Sequence, residues 1–153
     1  QRIALLLEHL IFCAVGSAVG SSETETRQTH IVQPEETRRY PEIPSSQAQQ
    51  MLQKWLTFFN LGQTRPLPFF AKTSLAAAET YGKKQSWEEA LNKAKESYHG
   101  NKVSKGQKDY TEVALVFGNE DTEPVEGALF QSLVEELLIP LLDAVKEESS
   151  DAA

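Results

Sequence analysis

An α+β fold dominated by helices is what this sequence predicts, and three observations predict it. Apolar residues recur with helical spacing through most of the chain. Ser46 with Gln49, and Ser86 with Glu89, have the spacing of an N-terminal capping box. Only two short runs read as strands: 29–32, and 38–43 bracketed by Pro34, Pro41 and Pro44.

The elements follow in order. Ile3, Leu6, Leu7, Leu10, Ile11 and Ala14 keep helical period, and Ala4, Leu5 and Phe12 make this first helix apolar nearly all round, so it is expected in the middle of a core. Residues 16–22 are a small-residue stop before the two strands. The next helix opens at Ser46, presents Met51, Leu52, Trp55, Leu56, Phe58 and Phe59, and ends at Gly62. Residues 66–70 should run extended, because Pro66 and Pro68 fix φ and remove two backbone donors; docking then falls to Leu67, Phe69 and Phe70. An alanine-rich helix is expected over 75–81, and another over 87–98 with Ala90, Leu91, Ala94 and Tyr98 on one face, closed by Gly100.

Residues 101–108 read as a lysine-rich loop. For 110–117 the Val and Leu content suits a strand, whereas Asp109 with Glu112 and the shared face of Tyr110, Val113, Ala114 and Phe117 favour a short helix. The closing element has a broad stripe from Leu129 to Val145, with a kink expected at Pro140, whose ring crowds the carbonyl of Glu136. The expected organisation is one domain over residues 1–147 and a frayed acidic tail over 148–153.

Charge is the asymmetric property. The net charge is −7, and acids concentrate after residue 119 against the single Lys146, while Lys83, Lys84, Lys93, Lys95, Lys102, Lys105 and Lys108 cluster in the middle. Duplex DNA is repelled by the acidic end. Lys102, Lys105 and Lys108 are the candidate phosphate contacts, with a solvated linker as the plainer alternative. Trp87, Tyr98 and Tyr110 lie on apolar faces and are expected to pack in the core rather than stack on bases. Cys13, the only cysteine, forms no disulfide within the chain, which makes a reducing cytoplasmic setting the expectation. Arg2 and the apolar run 3–15 imitate a secretion signal, but Glu8 and His9 interrupt it and it is too short to span a membrane. Opening with Gln1 and entering a helix at once, the sequence reads as a piece of a longer chain.

Metal-dependent nucleases of the PD-(D/E)xK type hold Mg²⁺ with two or three acids and orient water with a lysine two residues beyond one of them. The chain has no Asp/Glu-x-Lys triplet; Glu25-Thr26-Arg27 and Glu36-Thr37-Arg38 substitute arginine, a poor group for that task. His9, His30 and His99 lack zinc-ligand spacing, and there is no phosphate-binding glycine loop, so no catalytic residue, metal or cofactor is expected. His9 and Cys13 read as packing residues.

Leu67-Pro68-Phe69-Phe70-Ala71-Lys72-Thr73-Ser74, the opening Leu5-Leu6-Leu7-Glu8-His9-Leu10, the run 90–100, Asp109-Tyr110 and Leu138-Ile139-Pro140-Leu141-Leu142 together resemble the C-terminal end of the RecC family, the gamma chain of exodeoxyribonuclease V. The resemblance covers nearly the whole chain and implies a degenerate restriction-endonuclease-like body that has lost its catalytic motif. It also implies RecB-like and RecD-like partner subunits, and DNA met through an ATP-driven helicase and nuclease that processes double-strand breaks for recombination. On that reading Leu67, Pro68, Phe69, Phe70 and Lys72 are candidate partner contacts, with no membrane involved; an autonomous DNA-binding module is the alternative.

Overall fold

The structure, a computed structural model, describes residues 2–15, 27–32, 37–101, 104–118 and 123–146. It is α+β and dominated by helices: α1 (Arg2–Val15), β1 (Thr29–Val32), β2 (Thr37–Tyr40), α2 (Ser45–Gly62), α3 (Ala71–Lys84), α4 (Trp87–His99), a 3₁₀ turn (Gln107–Asp109), α5 (Thr111–Phe117), α6 (Ala128–Leu133), a π-helical turn (Val134–Leu138) and α7 (Ile139–Ala144). The chain divides into two compact units, Gln1–Leu56 with Leu141–Ala153, and Thr57–Pro140.

In the first unit β1 and β2 form an antiparallel hairpin in which Thr29 pairs with Tyr40 and Ile31 with Arg38. Alternation sends His30 and Arg39 outward and buries Tyr40. The strand expected over 38–43 stops at Tyr40, because Pro41 has no N–H to give a ladder. Leu6, His9, Leu10, Cys13 and Ala14 form the buried side of α1. The opposite side is not enclosed as the all-round apolar pattern suggests: Ile11, Phe12 and Val15 are 49%, 51% and 57% exposed.

His9 fastens this unit. Its Nε2–H donates to the carbonyl of Pro41 (2.8 Å), so Nδ1 is bare and accepts from the Thr29 hydroxyl (2.7 Å). Tyr40 packs on the ring at 5.5 Å, and Cys13 Sγ lies 3.6 Å from Nε2. The expected capping box at Ser46 is not what starts α2. The helix begins at Ser45, whose hydroxyl donates to the carbonyl of Ala14, as does the amide of Gln49. Both bonds serve a carbonyl at the C-terminal end of α1.

In the second unit α3 and α4 pack along each other, and α3 also meets the π turn. The Ser86 cap forms as its spacing predicts, with Glu89 N–H donating to Ser86 Oγ at 3.4 Å, and Gly100 closes α4 at φ 74°. α3 is longer at both ends than the expected 75–81. Residues 110–117 are helical from Thr111, but Tyr110 rather than Asp109 occupies the cap, with no side-chain bond to it. The expected kink at Pro140 is replaced by a wider turn: Ile139 N–H bonds the carbonyl of Val134, five residues back. That extra width gives the Pro140 ring room where an α-helical turn would drive it into the carbonyl of Glu136. The acidic tail over 148–153 lies outside the described residues.

Candidate interaction site: the Pro-Phe segment and the basic turn

Residues 66–70 reach α3 as an extended segment with one sharp turn, closed by Phe69 N–H to the carbonyl of Leu67 at 2.7 Å around Pro68. Phe70 is the N-cap of α3, and its side chain cannot accept a hydrogen bond. The freed N–H groups find other acceptors. Thr73 N–H donates to the side-chain oxygen of Gln107 at 2.7 Å, a bond across 34 residues. Phe70 and Ser74 bond reciprocally, Phe70 N–H to Ser74 Oγ and Ser74 N–H to the carbonyl of Phe70. This explains why α3 starts four residues before the expected helix: its cap comes from a distant glutamine, which no local spacing announces.

Of the candidate partner contacts, Phe70 is a correction. Its ring sits against Tyr98 (centroids 5.0 Å) and Phe117 (5.3 Å, edge-on), and only 4% of it is exposed. Pro68 is buried too, so both side chains are used inside the unit. Leu67 and Phe69 are half-buried and Lys72 is exposed. These three retain surface for another molecule.

The basic turn is tightly built. Asn101 N–H donates to the carbonyl of Ser104 (2.8 Å), Ser104 N–H returns a bond to Asn101 Oδ1 (2.7 Å), and Gly100 bridges to Lys105. Gly106 is buried against the end of α4, where a Cβ would stand 2.4 Å from the carbonyl oxygen of His99. Of the residues read as a loop, 101 and 104–108 are thus braced against the end of α4. Lys105 Nζ lies 5.7 Å above the Tyr110 ring, and Lys108 Nζ is 2.9 Å from His99 Nδ1. Lys102 lies outside the described residues. Tyr110, expected in the core, is 39% exposed beside Lys105. By contrast Tyr98 is buried, and Trp87 stacks on Tyr81 at 4.6 Å.

Downstream, Glu123 accepts from His99 Nε2 at 2.6 Å and Glu126 pairs with Lys95 at 2.5 Å. The Glu126 hydrogen bond raises the Lys95 pKa. In the first unit, Arg2, Glu8, Ile31, Arg38 and Tyr40 help line a groove of about 570 Å³ between α1 and the hairpin. Of the two Glu-x-Arg triplets, Arg38 therefore faces this groove; Glu25 and Glu36 lie outside the described residues. Among the described residues no three His, Cys, Asp or Glu side chains converge as a metal site. Cys13 is buried, and burial pushes its thiol pKa up.

The family model of the RecC C-terminal domain matches residues 1–82. The chain belongs to the RecC C-terminal domain family. Membership makes it a C-terminal RecC region, and gives it a part in a RecC subunit of the RecBCD complex. The matched residues take in α1, the hairpin, α2, the Pro-Phe segment and most of α3. The resemblance read across nearly the whole sequence is thus matched over its first part, and Lys105, Lys108 and Tyr110 lie beyond it. No curated protein matches the chain. Among the described residues, no helix is long and apolar enough to cross a membrane.

Proposed function

We propose that this RecC C-terminal region is a non-catalytic scaffold that holds RecB-like and RecD-like subunits, and DNA through the parent complex, during double-strand break repair. The single observation that supports it most is the outer side of α1. Ile11, Phe12 and Val15 share one exposed face of a helix whose other face is already buried, and an exposed apolar row marks a surface meant for another protein. α1 lies within the matched residues. Leu67, Phe69 and Lys72 are then the members of the Pro-Phe segment that would meet a partner. The proposed ancestry is a restriction-endonuclease-like body, one domain over 1–147, without its metal ligands.

The test uses the full RecC subunit. Phe12→Glu should abolish co-elution with a partner subunit while leaving the helical circular dichroism intact, and unchanged assembly would refute the reading. Mg²⁺-dependent hydrolysis of linear DNA by the chain, lost on substituting an Asp or Glu, would refute the non-catalytic part.

A second reading, DNA binding by the basic turn, is favoured by the exposed Tyr110 under Lys105. An aromatic face beside ammonium groups suits stacking on a base with phosphate neutralisation. Fluorescence anisotropy at two salt concentrations tests it: a slope reduced by Lys105→Gln with Lys108→Gln supports the reading, and no binding at low salt removes it.

A further inference from the structure

His99 stands in the last turn of α4, where three segments of the second unit meet. Lys108 Nζ approaches its Nδ1 at 2.9 Å, and the Glu123 carboxylate approaches its Nε2 at 2.6 Å. An ammonium can only donate and a carboxylate only accept. The geometry therefore describes a neutral ring with its hydrogen on Nε2 and a lone pair on Nδ1 held by Lys108. One helical turn earlier, Lys95 and Glu126 join α4 to the downstream segment without help from the imidazole. The charged groups on the elements meeting His99 are Lys95 and Glu96 on α4, Lys72 at the adjoining end of α3, Lys105, Lys108 and Asp109 in the turn, and Glu123 and Glu126 downstream.

We propose that His99 is a proton-operated clasp on the basic turn: the neutral ring holds Lys108 and Glu123 together, and the protonated ring expels Lys108 while keeping Glu123. A proton taken from solvent onto Nδ1 occupies the lone pair that Lys108 uses and sets two cations at hydrogen-bond distance. The same proton turns the Glu123 contact into an ion pair. The two outcomes are opposite in sign, so one event releases one segment and tightens the other. His99 and Glu123 are 38% and 37% exposed, which gives the proton access. The released turn is the one whose Asp109 and Tyr110 N–H groups bond the carbonyls of Gly106 and Gln107. Release frees an ammonium beside a new imidazolium, so the anion-attracting charge of the turn rises as pH falls. The clasp goes beyond either functional reading, since it stands on these bonds whether or not the turn meets DNA.

The experiment is nitrogen NMR of the histidine rings with amide exchange of residues 104–110, corrected for intrinsic rates, on the 153-residue chain between pH 8 and pH 5. At pH 8 His99 should show a bare Nδ1. Protection at Asp109 and Tyr110 should fall severalfold as His99 protonates. In His99→Gln, whose amide oxygen can accept from Lys108 while its NH₂ donates to Glu123, protection should stay level. Lys108→Met should also remove the pH response, since no cation remains to expel. A hydrogen on Nδ1 at pH 8, wild-type protection that does not follow the ring's titration, or the same fall in either folded variant overturns the clasp.

Discussion

At the scale of single residues, the side chains that matter most are polar groups whose partners lie far away in sequence. Gln107 is buried, and its side-chain oxygen takes the N–H of Thr73 at the start of α3. Gln107→Leu keeps the bulk but leaves that buried donor without its acceptor, which costs about 1–3 kcal/mol. Urea denaturation should show the loss, and hydrogen exchange should place it at the first turn of α3. Phe70→Ala removes the ring between Tyr98 and Phe117 and should cost about 3–5 kcal/mol. His9 gives a pH dependence of definite sign. Burial lowers its pKa, opposed by the Pro41 hydrogen bond, so the unfolded chain takes up the proton first as pH falls. Stability from this group is complete above the ordinary imidazole value of about 6.5 and is lost as pH falls towards the depressed folded value. His9→Gln should narrow the difference between urea midpoints at pH 7.5 and pH 5.5.

At the scale of elements, two glycines decide whether α4 and the basic turn can meet. Gly100 has φ 74°, and a Cβ there would stand 2.3 Å from the backbone nitrogen of Gly106. Gly106 in turn approaches the last carbonyls of α4. Gly100→Ala therefore meets strain and overpacking together and should cost about 1–3 kcal/mol, read as a lowered melting temperature. Removing the Ser86 cap with Ser86→Ala should cost about 1 kcal/mol. The Ser86 result also shows what was legible: that cap, the existence of the two short strands and the apolar stripe of the closing helices are local patterns. The boxes read at Ser46 and Asp109 did not set where their helices begin, because Ser45 and Tyr110 take those places. The early start of α3 was not legible, because its acceptor is Gln107. Nor was the π turn before Pro140, since a proline announces a disturbance without saying whether the chain bends or widens. Tyr110 was misread for a similar reason: its spacing matches an apolar face, but α5 is one short helix whose Leu115 and Val116 are also exposed.

At the scale of the whole molecule, the two kinds of apolar residue should separate cleanly in experiment. Leu6 and Leu10 are fully buried on one side of α1, and Ile11 and Phe12 are about half exposed on the other, although Ile11 shares the helical period of Leu6 and Leu10 and Phe12 is equally apolar in sequence. Periodicity locates a helix; it does not say how many of its faces the same chain covers. If the outer face belongs to a partner in the RecBCD complex, its residues contribute little to the fold of the isolated chain, and their worth appears only on assembly. Leu10→Ala should therefore lower unfolding stability by about 2–5 kcal/mol, whereas Ile11→Gln should stay within about 0.5 kcal/mol of the parent. Urea titration checks both. The same Ile11→Gln subunit should then dissociate faster from its partner, because a truncated interface anchor acts mainly on the off-rate. A large loss of fold stability from Ile11→Gln would mean that the outer face serves the chain itself, and would remove α1 as the docking helix.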